Sequence, residues 1–202
     1  SHGQVWRLYG GGRLLTSVSR LEKFRACPFA HFLNYGMKLR EREEYRLNPP
    51  DLGAFFHAAL ENVCKSVQGQ GLSLADLRDE QLATEVQETI ARIAPQLQNE
   101  ILLSSARYRY LTRKFERTVG RALLVLREHE RRGAFRPLGL EIAFGPGERL
   151  PGLELKLADG SILHLRGRID RIDGACGEDG YYLRVIDYKS GALSLSLLEI
   201  YY

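Results

Sequence analysis

Two carboxylates and a lysine lie in two short segments near the end of the sequence, Asp170 in residues 165–173 and both Asp187 and Lys189 in residues 181–191. Carboxylate oxygens are the ligands that Mg²⁺ prefers in proteins, and the ion keeps several water molecules when a protein binds it. Water bound to such an ion becomes a better nucleophile, and a neighbouring lysine ammonium can stabilise the negative charge of the transition state. These residue types together suit phosphodiester hydrolysis.

Both segments alternate apolar with polar residues, which is typical of β-strands. The tetrad Gly177-Glu178-Asp179-Gly180 between them predicts a four-residue hairpin loop. That loop places Cys176 opposite Tyr181, and the same register places Asp170 opposite Asp187. Carboxylates that face each other destabilise a sheet unless a cation lies between them. The predicted register therefore favours a divalent metal site.

A hairpin with charges on its solvated side is the alternative interpretation, because a short Asp-x-Lys motif often occurs by chance. Side chains alternate along a strand, so Lys189 is expected to share a face with Asp187, and Tyr188 is expected to point to the other face. The backbone carbonyl of Tyr188 is a further candidate metal ligand.

The motifs GRIDRID (residues 167–173) and VIDYKSG (185–191) resemble the core of the RecB-like PD-(D/E)XK nucleases. Within that family, nearly the whole chain resembles the nuclease domains of AddB-type subunits of bacterial helicase-nucleases. The resemblance implies an α+β, restriction-endonuclease-like fold with a mixed, mainly antiparallel sheet and a large N-terminal helical region. It also implies an exonuclease that depends on Mg²⁺ or Mn²⁺ and resects DNA ends in double-strand break repair by homologous recombination. DNA and an AddA-type subunit would be its partners.

Residues 53–61 are a further point of resemblance, because RecB-like nucleases place a helix with Gly-x-x-x-His beside the metal. His57 would then be an auxiliary metal ligand or a phosphate contact. A helical histidine considered alone is more often a hydrogen-bonded structural residue. The candidate catalytic residues are Asp170, Asp187, Lys189 and His57, and the candidate metal ligands are Asp170, Asp187, Tyr188 and His57.

Cys27, in the sequence Cys-Pro-Phe, also resembles the AddB-type pattern, in which this cysteine is one of four ligands of a 4Fe-4S iron-sulfur cluster. Neither Cys64 nor Cys176 matches another ligand position, so we expect that these residues cannot complete the cluster. A small buried side chain is the alternative interpretation of Cys27. In the family, the equivalent of Tyr202 leads into a helix with a Gln and a Tyr that complete the nuclease site. The resemblance thus predicts a C-terminally truncated domain, which could hold the metal without cleaving DNA.

The elements that position these residues can be predicted from periodicity. We expect a lead-in over residues 1–18 and one nuclease domain over 19–202, with a helical part over about 19–136 and a sheet core over about 137–191. The alternation of the first sheet strand places Glu141 on the face opposite its apolar residues, so it is either a secondary carboxylate of the site or, as we expect, a solvent-exposed acid.

Three helix starts carry capping signals. Ser19 with Glu22 is a capping box, Asp51 is expected to cap the helix of His57, and Ser73 with Asp76 is expected to start the next helix.

A long helix over about residues 99–132 carries arginines every four residues on the side away from its apolar stripe. Between positions 101 and 136 there are ten Lys or Arg against three Glu. A solvated face and a surface for the phosphate backbone of DNA are equally favoured interpretations of this ridge. The arginine ridge consists of Arg109, Arg113, Arg117 and Arg121.

Composition restricts the remaining possibilities. The chain has 44% hydrophobic and 27% charged residues, a net charge of +4, no long apolar run and no signal peptide, so we expect a cytoplasmic globular protein. Three cysteines, an odd number, argue against a disulfide framework.

Two alternatives to the AddB-type exonuclease are a non-catalytic DNA-binding or scaffolding module with the same fold and a Cas4-like exonuclease. The charged segment 40–46 and the long helical insertion favour the AddB type.

Overall fold

The computed structural model describes residues 14–39, 49–96, 106–158 and 160–189. The charged segment 40–46, the start of the long helix before residue 106 and the residues after 189 lie outside this part of the chain. Five α-helices and five β-strands occur within it. The helices are α1 (Val18–Ala26), α2 (Pro28–His31), α3 (Pro49–Gly69), α4 (Asp79–Ile93) and α5 (Ala106–Arg132). The strands are β1 (Leu14–Ser17), β2 (Arg136–Phe144), β3 (Leu153–Lys156), β4 (Ile162–Gly177) and β5 (Gly180–Ile186).

The sheet is built around the long strand β4. Strand β1 pairs with β4 in parallel, whereas β3 and β5 pair with it in antiparallel orientation. Strand β2 is also hydrogen-bonded to β4. The sheet is therefore mixed, and the predicted α+β fold class is confirmed. The chain divides into two compact units, one of residues 1–44 and 141–169 and one of residues 45–140 and 170–202.

In the first unit, helix α1 begins directly after β1. Ser17 has an extended backbone, and its Oγ accepts a hydrogen bond of 3.3 Å from the backbone N–H of Arg20, so Ser17 is the N-cap. The predicted cap at Ser19 is wrong, because Ser19 already lies in the first helical turn. Helices α1 and α2 are separated at Cys27, as the proline at position 28 requires.

In the second unit, helices α3, α4 and α5 form a hydrophobic core. The apolar stripe predicted for α3 is confirmed, since four of its side chains are buried at spacings of three or four residues. They are Phe56, Leu60, Val63 and Val67. This burial fixes the rotation of α3 and, with it, the direction in which His57 projects.

Two helix starts in this unit differ from the sequence prediction. Helix α3 begins at Pro49 rather than after Asp51, because proline is well suited to a first helical turn. Ser73 and Asp76 do form a capping box, but it opens a single 3₁₀ turn, and α4 begins only at Asp79. The hydrogen bond from the backbone N–H of Ser73 lowers the pKa of the Asp76 carboxyl.

The hairpin of β4 and β5 has the predicted register, with Cys176 paired to Tyr181. Gly177 and Gly180 also pair, so the turn has two residues and the predicted four-residue loop is wrong. Pairing ends at Arg171 and Ile186. Residues after β5 are therefore not held by the sheet register.

Candidate metal centre

Asp170 and His57 form the centre of the site. Asp170 lies on β4 next to the last residue that pairs with β5, and His57 lies on α3 beside the buried Phe56. The Nδ1 atom of His57 is 3.3 Å from the Oδ1 atom of Asp170, and the side chains are 27% and 11% exposed. The predicted connection between the upstream helix and the GRIDRID motif is thus a direct contact.

Tyr188 contacts both residues of this pair. Its backbone N–H donates a hydrogen bond of 2.6 Å to Oδ2 of Asp170, and hydrogen bonds to an ionised acceptor are among the strong ones in proteins. Its ring lies at 75° to the imidazole of His57, with 5.9 Å between the ring centroids. The side chain of Tyr188 is buried in the helical core, as the alternation predicted.

Asp187 and Lys189 lie on either side of Tyr188 and are more than half exposed. Lys189 Nζ is 2.6 Å from Asp187 Oδ2, which agrees with the prediction that the two share a face. Among the described residues, no group of three or more potential ligands within 4.8 Å of one another contains Asp187. The structure thus pairs Asp170 with His57 and with the amide of Tyr188. The roles of Asp187 and Lys189 stay predictions.

Glu141, in the first unit, is not the solvent-exposed acid that the sequence predicted. Its side chain is 12% exposed, and one carboxylate oxygen lies 3.6 Å from Nη1 of Arg168. Its φ of +50° lies in the left-handed region, which is unusual for a residue other than glycine. Because the backbone is not extended at this position, side chains do not simply alternate between the two faces there. The solvent exposure predicted for Glu141 from that alternation is therefore wrong.

The donor set of His57 and Asp170 fits a small divalent cation. Both residues belong to a group of side chains that could hold a metal ion. Carboxylate oxygens suit Mg²⁺, and imidazole nitrogen together with carboxylate suits Mn²⁺. A bound ion of this kind activates water and neutralises charge on a phosphoryl group.

Comparison with known proteins identifies the family. A model of the PD-(D/E)XK nuclease superfamily matches residues 15–201. The chain belongs to this superfamily. Similar proteins include one from Desulfitobacterium hafniense, named as the B subunit of an ATP-dependent helicase/deoxyribonuclease, which is 56% identical over 97% of this chain and 16% of its own length. Proteins of the same name from Pelotomaculum thermopropionicum (55% identical) and Geobacillus thermodenitrificans (45%) match 95% and 97% of this chain.

The chain spans about a sixth of the length of these curated relatives, 16–17% of each. In the part of this nuclease chain that the structure describes, no helix is long and apolar enough to cross a membrane.

Beginning with the residue after Asp170, the chain forms a cluster of four charged residues that the sequence did not single out, three of them fully buried and Arg184 about a third exposed. The guanidinium of Arg171 donates to Oδ1 of Asp173 at 2.5 Å and to Oε1 of Glu130 at 2.7 Å, and all three side chains are fully buried. Arg184 donates to the other oxygen of Asp173 at 2.7 Å. Burial alone opposes the charge on Arg171, but hydrogen bonds from this guanidinium to Asp173 and Glu130 raise its pKa.

The cysteines of the nuclease chain differ in their surroundings. Cys27 is exposed, and its Sγ accepts a hydrogen bond of 3.4 Å from the backbone N–H of Ala30. The alternative of a buried Cys27 is therefore wrong. Cys64 is buried, and burial raises the pKa of its thiol to about 11, which disfavours the thiolate that a metal requires.

The arginine ridge lies on α5. Arg113, Arg117 and Arg121 are exposed there, whereas the side chain of Arg109 lies outside the described residues.

Proposed function

We propose that this chain is the nuclease domain of an AddB-type subunit and that it hydrolyses DNA with Mg²⁺ or Mn²⁺ as its cofactor. The parent complex would act as an exonuclease that resects DNA ends in double-strand break repair by homologous recombination. An AddA-type helicase-nuclease subunit would be its protein partner, and the cytoplasm its compartment. The names of the relatives, which describe a helicase and deoxyribonuclease, support this proposal.

The contact between His57 and Asp170 is the observation that carries the proposal. A carboxylate and an imidazole at 3.3 Å, partly buried and derived from two motifs of one nuclease family, are a suitable pair of ligands for the cation. Asp170 would bind through an oxygen, and His57 through a ring nitrogen in its neutral form. The hydrogen bond from the Tyr188 amide keeps the Asp170 carboxylate oriented.

Asp187, Lys189 and the carbonyl of Tyr188 complete the proposed set. Asp187 would be a second carboxylate ligand, and Lys189 would stabilise negative charge on the scissile phosphate. Their ion pair of 2.6 Å is exposed, so water can replace either partner at little cost. Both side chains are thus able to separate when a cation and a phosphate compete for them.

Two further assignments come from the sequence analysis. The proposal that Glu141 is a secondary carboxylate comes from its place in the first sheet strand, and its low exposure argues against a solvated acid. Cys27 is proposed as the ligand that this domain would give to an iron-sulfur cluster in the parent protein. Its exposed sulfur fits that role, whereas the buried thiol of Cys64 does not.

The test is cleavage of end-labelled single-stranded DNA with Mg²⁺ or Mn²⁺, together with calorimetric titration of Mn²⁺. Asp170→Asn is expected to abolish saturable Mn²⁺ binding and any cleavage. Asp179→Asn makes the same chemical change in the exposed turn of the hairpin and should leave both unchanged. A chain whose Mn²⁺ binding is unaffected by Asp170→Asn would refute the proposed metal centre.

A DNA-binding module without catalysis is the second candidate function. The observation that favours it is the Asp187–Lys189 ion pair. In this pair the two predicted catalytic groups bind each other rather than a metal ion and a phosphate. Saturable Mn²⁺ binding without cleavage, combined with DNA binding, would support this candidate. Cleavage that Asp170→Asn abolishes would exclude it.

A further inference from the structure

The position of Tyr188 is unusual for a residue that follows a strand. It lies two residues beyond β5 and between two exposed neighbours, yet only 8% of its surface is exposed. Its ring belongs to the core cluster formed by helices α3, α4 and α5. A large aromatic side chain loses much apolar surface to water in this way, so the core fixes residue 188 although the sheet does not.

The backbone and the ring of this one residue contact the two halves of the proposed metal centre. The backbone N–H binds Oδ2 of Asp170 at 2.6 Å, while Oδ1 of the same carboxylate faces Nδ1 of His57 at 3.3 Å. The ring meets the imidazole of His57 edge to face. Any displacement of residue 188 would therefore change the surroundings of both candidate ligands at once.

The inner end of Tyr188 lies at the buried charged cluster. Its hydroxyl oxygen is buried. Burial raises the pKa of Tyr188 well above its usual range, and the thiol of Cys64 adds to this, while the nearby guanidinium of Arg171 acts in the opposite direction. Arg171 itself is held by Glu130 of α5 and Asp173 of β4. The ring thus extends from His57 at one side to the buried ion pairs of Arg171 at the other.

We propose that the buried ring of Tyr188 is a positioning element of the metal centre. By holding residue 188 against the core, the ring fixes the backbone N–H that orients the Asp170 carboxylate and limits the rotation of the His57 imidazole. This inference rests on the proposed metal-dependent function. It gives the side chain of Tyr188 a role apart from the one that its backbone carbonyl would have as a ligand.

Simple core packing is the competing explanation, and three variants distinguish the two. Tyr188→Leu keeps an apolar side chain but removes the ring, Tyr188→Phe keeps the ring, and Val67→Ala removes packing from the same core. Val67 lies ten residues from His57 on α3, about 15 Å along the helix axis. Loss of stability is measured for all three by denaturant unfolding.

The first measurement is hydrogen exchange of the amide at position 188 without metal, observed by NMR. Tyr188→Leu is expected to lower the protection of this amide about tenfold more than its loss of global stability explains, whereas Tyr188→Phe stays close to the unsubstituted chain. Val67→Ala should lower the protection only as far as it lowers global stability. If Tyr188→Leu does not fold, Tyr188→Met takes its place, because methionine fills irregular core space.

The second measurement is Mn²⁺ affinity by calorimetry. Groups that orient a ligand typically change metal affinity by about 10- to 100-fold when they are replaced, so we expect about tenfold weaker binding for Tyr188→Leu and less than about threefold for Tyr188→Phe. Unchanged affinity and unchanged amide protection in Tyr188→Leu would overturn the proposal, as would equal losses in Val67→Ala. If the unsubstituted chain binds no Mn²⁺, the metal centre itself fails, and the exchange comparison alone decides the role of Tyr188.

Discussion

Glu130 on α5 and Arg171 on β4 form an ion pair in which both side chains are fully buried, with 2.7 Å between Oε1 and Nη2. A second ion pair, between Arg127 Nη2 and Asp79 Oδ1, has nearly the same length, 2.6 Å, but Asp79 is 80% exposed. The two pairs thus differ mainly in access to water. Because a buried charge without its partner cannot be solvated, burial decides how much each pair matters for stability.

Glu130→Leu is expected to lower the free energy of unfolding by about 3–5 kcal/mol, since Arg171 then keeps Asp173 as its only carboxylate partner among the described contacts. Asp79→Ala should cost about 1 kcal/mol or less, because water can replace the exposed carboxylate beside Arg127. Denaturant unfolding followed by circular dichroism measures both values.

The double variant Glu130→Leu with Arg171→Met is the control for this comparison. It removes both buried charges together, so it should be more stable than Glu130→Leu alone. If the loss of stability of the double variant, relative to the unsubstituted chain, equals the sum of the losses of Glu130→Leu and Arg171→Met, the buried pair is not coupled and the interpretation is wrong.

Asp187 and Lys189 are expected to separate metal binding from catalysis. Lys189→Met should leave Mn²⁺ affinity within about threefold and lower kcat by about 100-fold, because it removes one group that stabilises the transition state. Asp187→Ala should weaken Mn²⁺ binding itself. Calorimetry and steady-state cleavage of single-stranded DNA measure the two effects.

Lys156→Met on the exposed strand β3 makes the same chemical change as Lys189→Met and should have no effect on kcat. Equal effects of the two lysine substitutions would show that only the net charge matters. In that case Lys189 has no specific catalytic role.

Two substitutions of Glu141 can test separately its backbone strain and its role in metal binding. At a φ of +50°, glycine is favoured over alanine, so Glu141→Gly should be more stable than Glu141→Ala by about 1 kcal/mol. Both variants should weaken Mn²⁺ binding to a similar extent if the carboxylate belongs to the site. Thermal unfolding and Mn²⁺ titration of the pair check this, and unchanged Mn²⁺ affinity in both would exclude Glu141 from the site.

The sequence predicted local features of the fold better than distant contacts. Alternation and the two glycines of the turn predicted the pairing of Cys176 with Tyr181, because a hairpin register is set by residues close in sequence. That register did not extend to Asp187, since pairing ends at Ile186. The cap of α1 was missed because both Ser17 and Ser19 carry a capping side chain, and only the end of β1 decides between them.

The buried cluster shows why the rest could not be predicted. Arg171 and Glu130 are 41 residues apart, and each one considered alone is a charged residue that is normally exposed. Nothing in periodicity pairs a helix residue with a particular strand residue at that distance. The contact of His57 with Asp170 was anticipated through the family motifs, whereas the hydrogen bond from the Tyr188 amide was not.

The lowered pKa of His31 should make the stability of the fold depend on pH. Burial and the nearby Arg20 guanidinium lower the pKa of this histidine, and its Nε2 accepts a hydrogen bond of 3.2 Å from Arg20 Nε. The unfolded chain therefore takes up a proton at a higher pH than the folded chain does. The free energy of unfolding should fall as pH decreases below about 6.5, by at most about 1.4 kcal/mol per pH unit.

His31→Gln should flatten this slope between pH 7 and pH 5, which thermal unfolding at several pH values measures. His129 on the exposed side of α5 is the matched control, and His129→Gln should leave the slope unchanged. A stability that rises as pH falls in this range would contradict the assigned direction.

The salt dependence of DNA affinity can decide whether the arginine ridge is a solvated face or a DNA-binding surface. Each arginine that contacts a phosphate of single-stranded DNA contributes about 0.7 to the slope of log affinity against log salt concentration. Replacing Arg113, Arg117 and Arg121 with Gln should therefore reduce the slope by about 2 if all three contact the backbone. Arg92→Gln on the exposed side of α4 removes the same charge elsewhere and is expected to change the slope by less than about 0.3. Fluorescence anisotropy at several salt concentrations measures both, and an unchanged slope in the triple variant would identify the ridge as a solvated face.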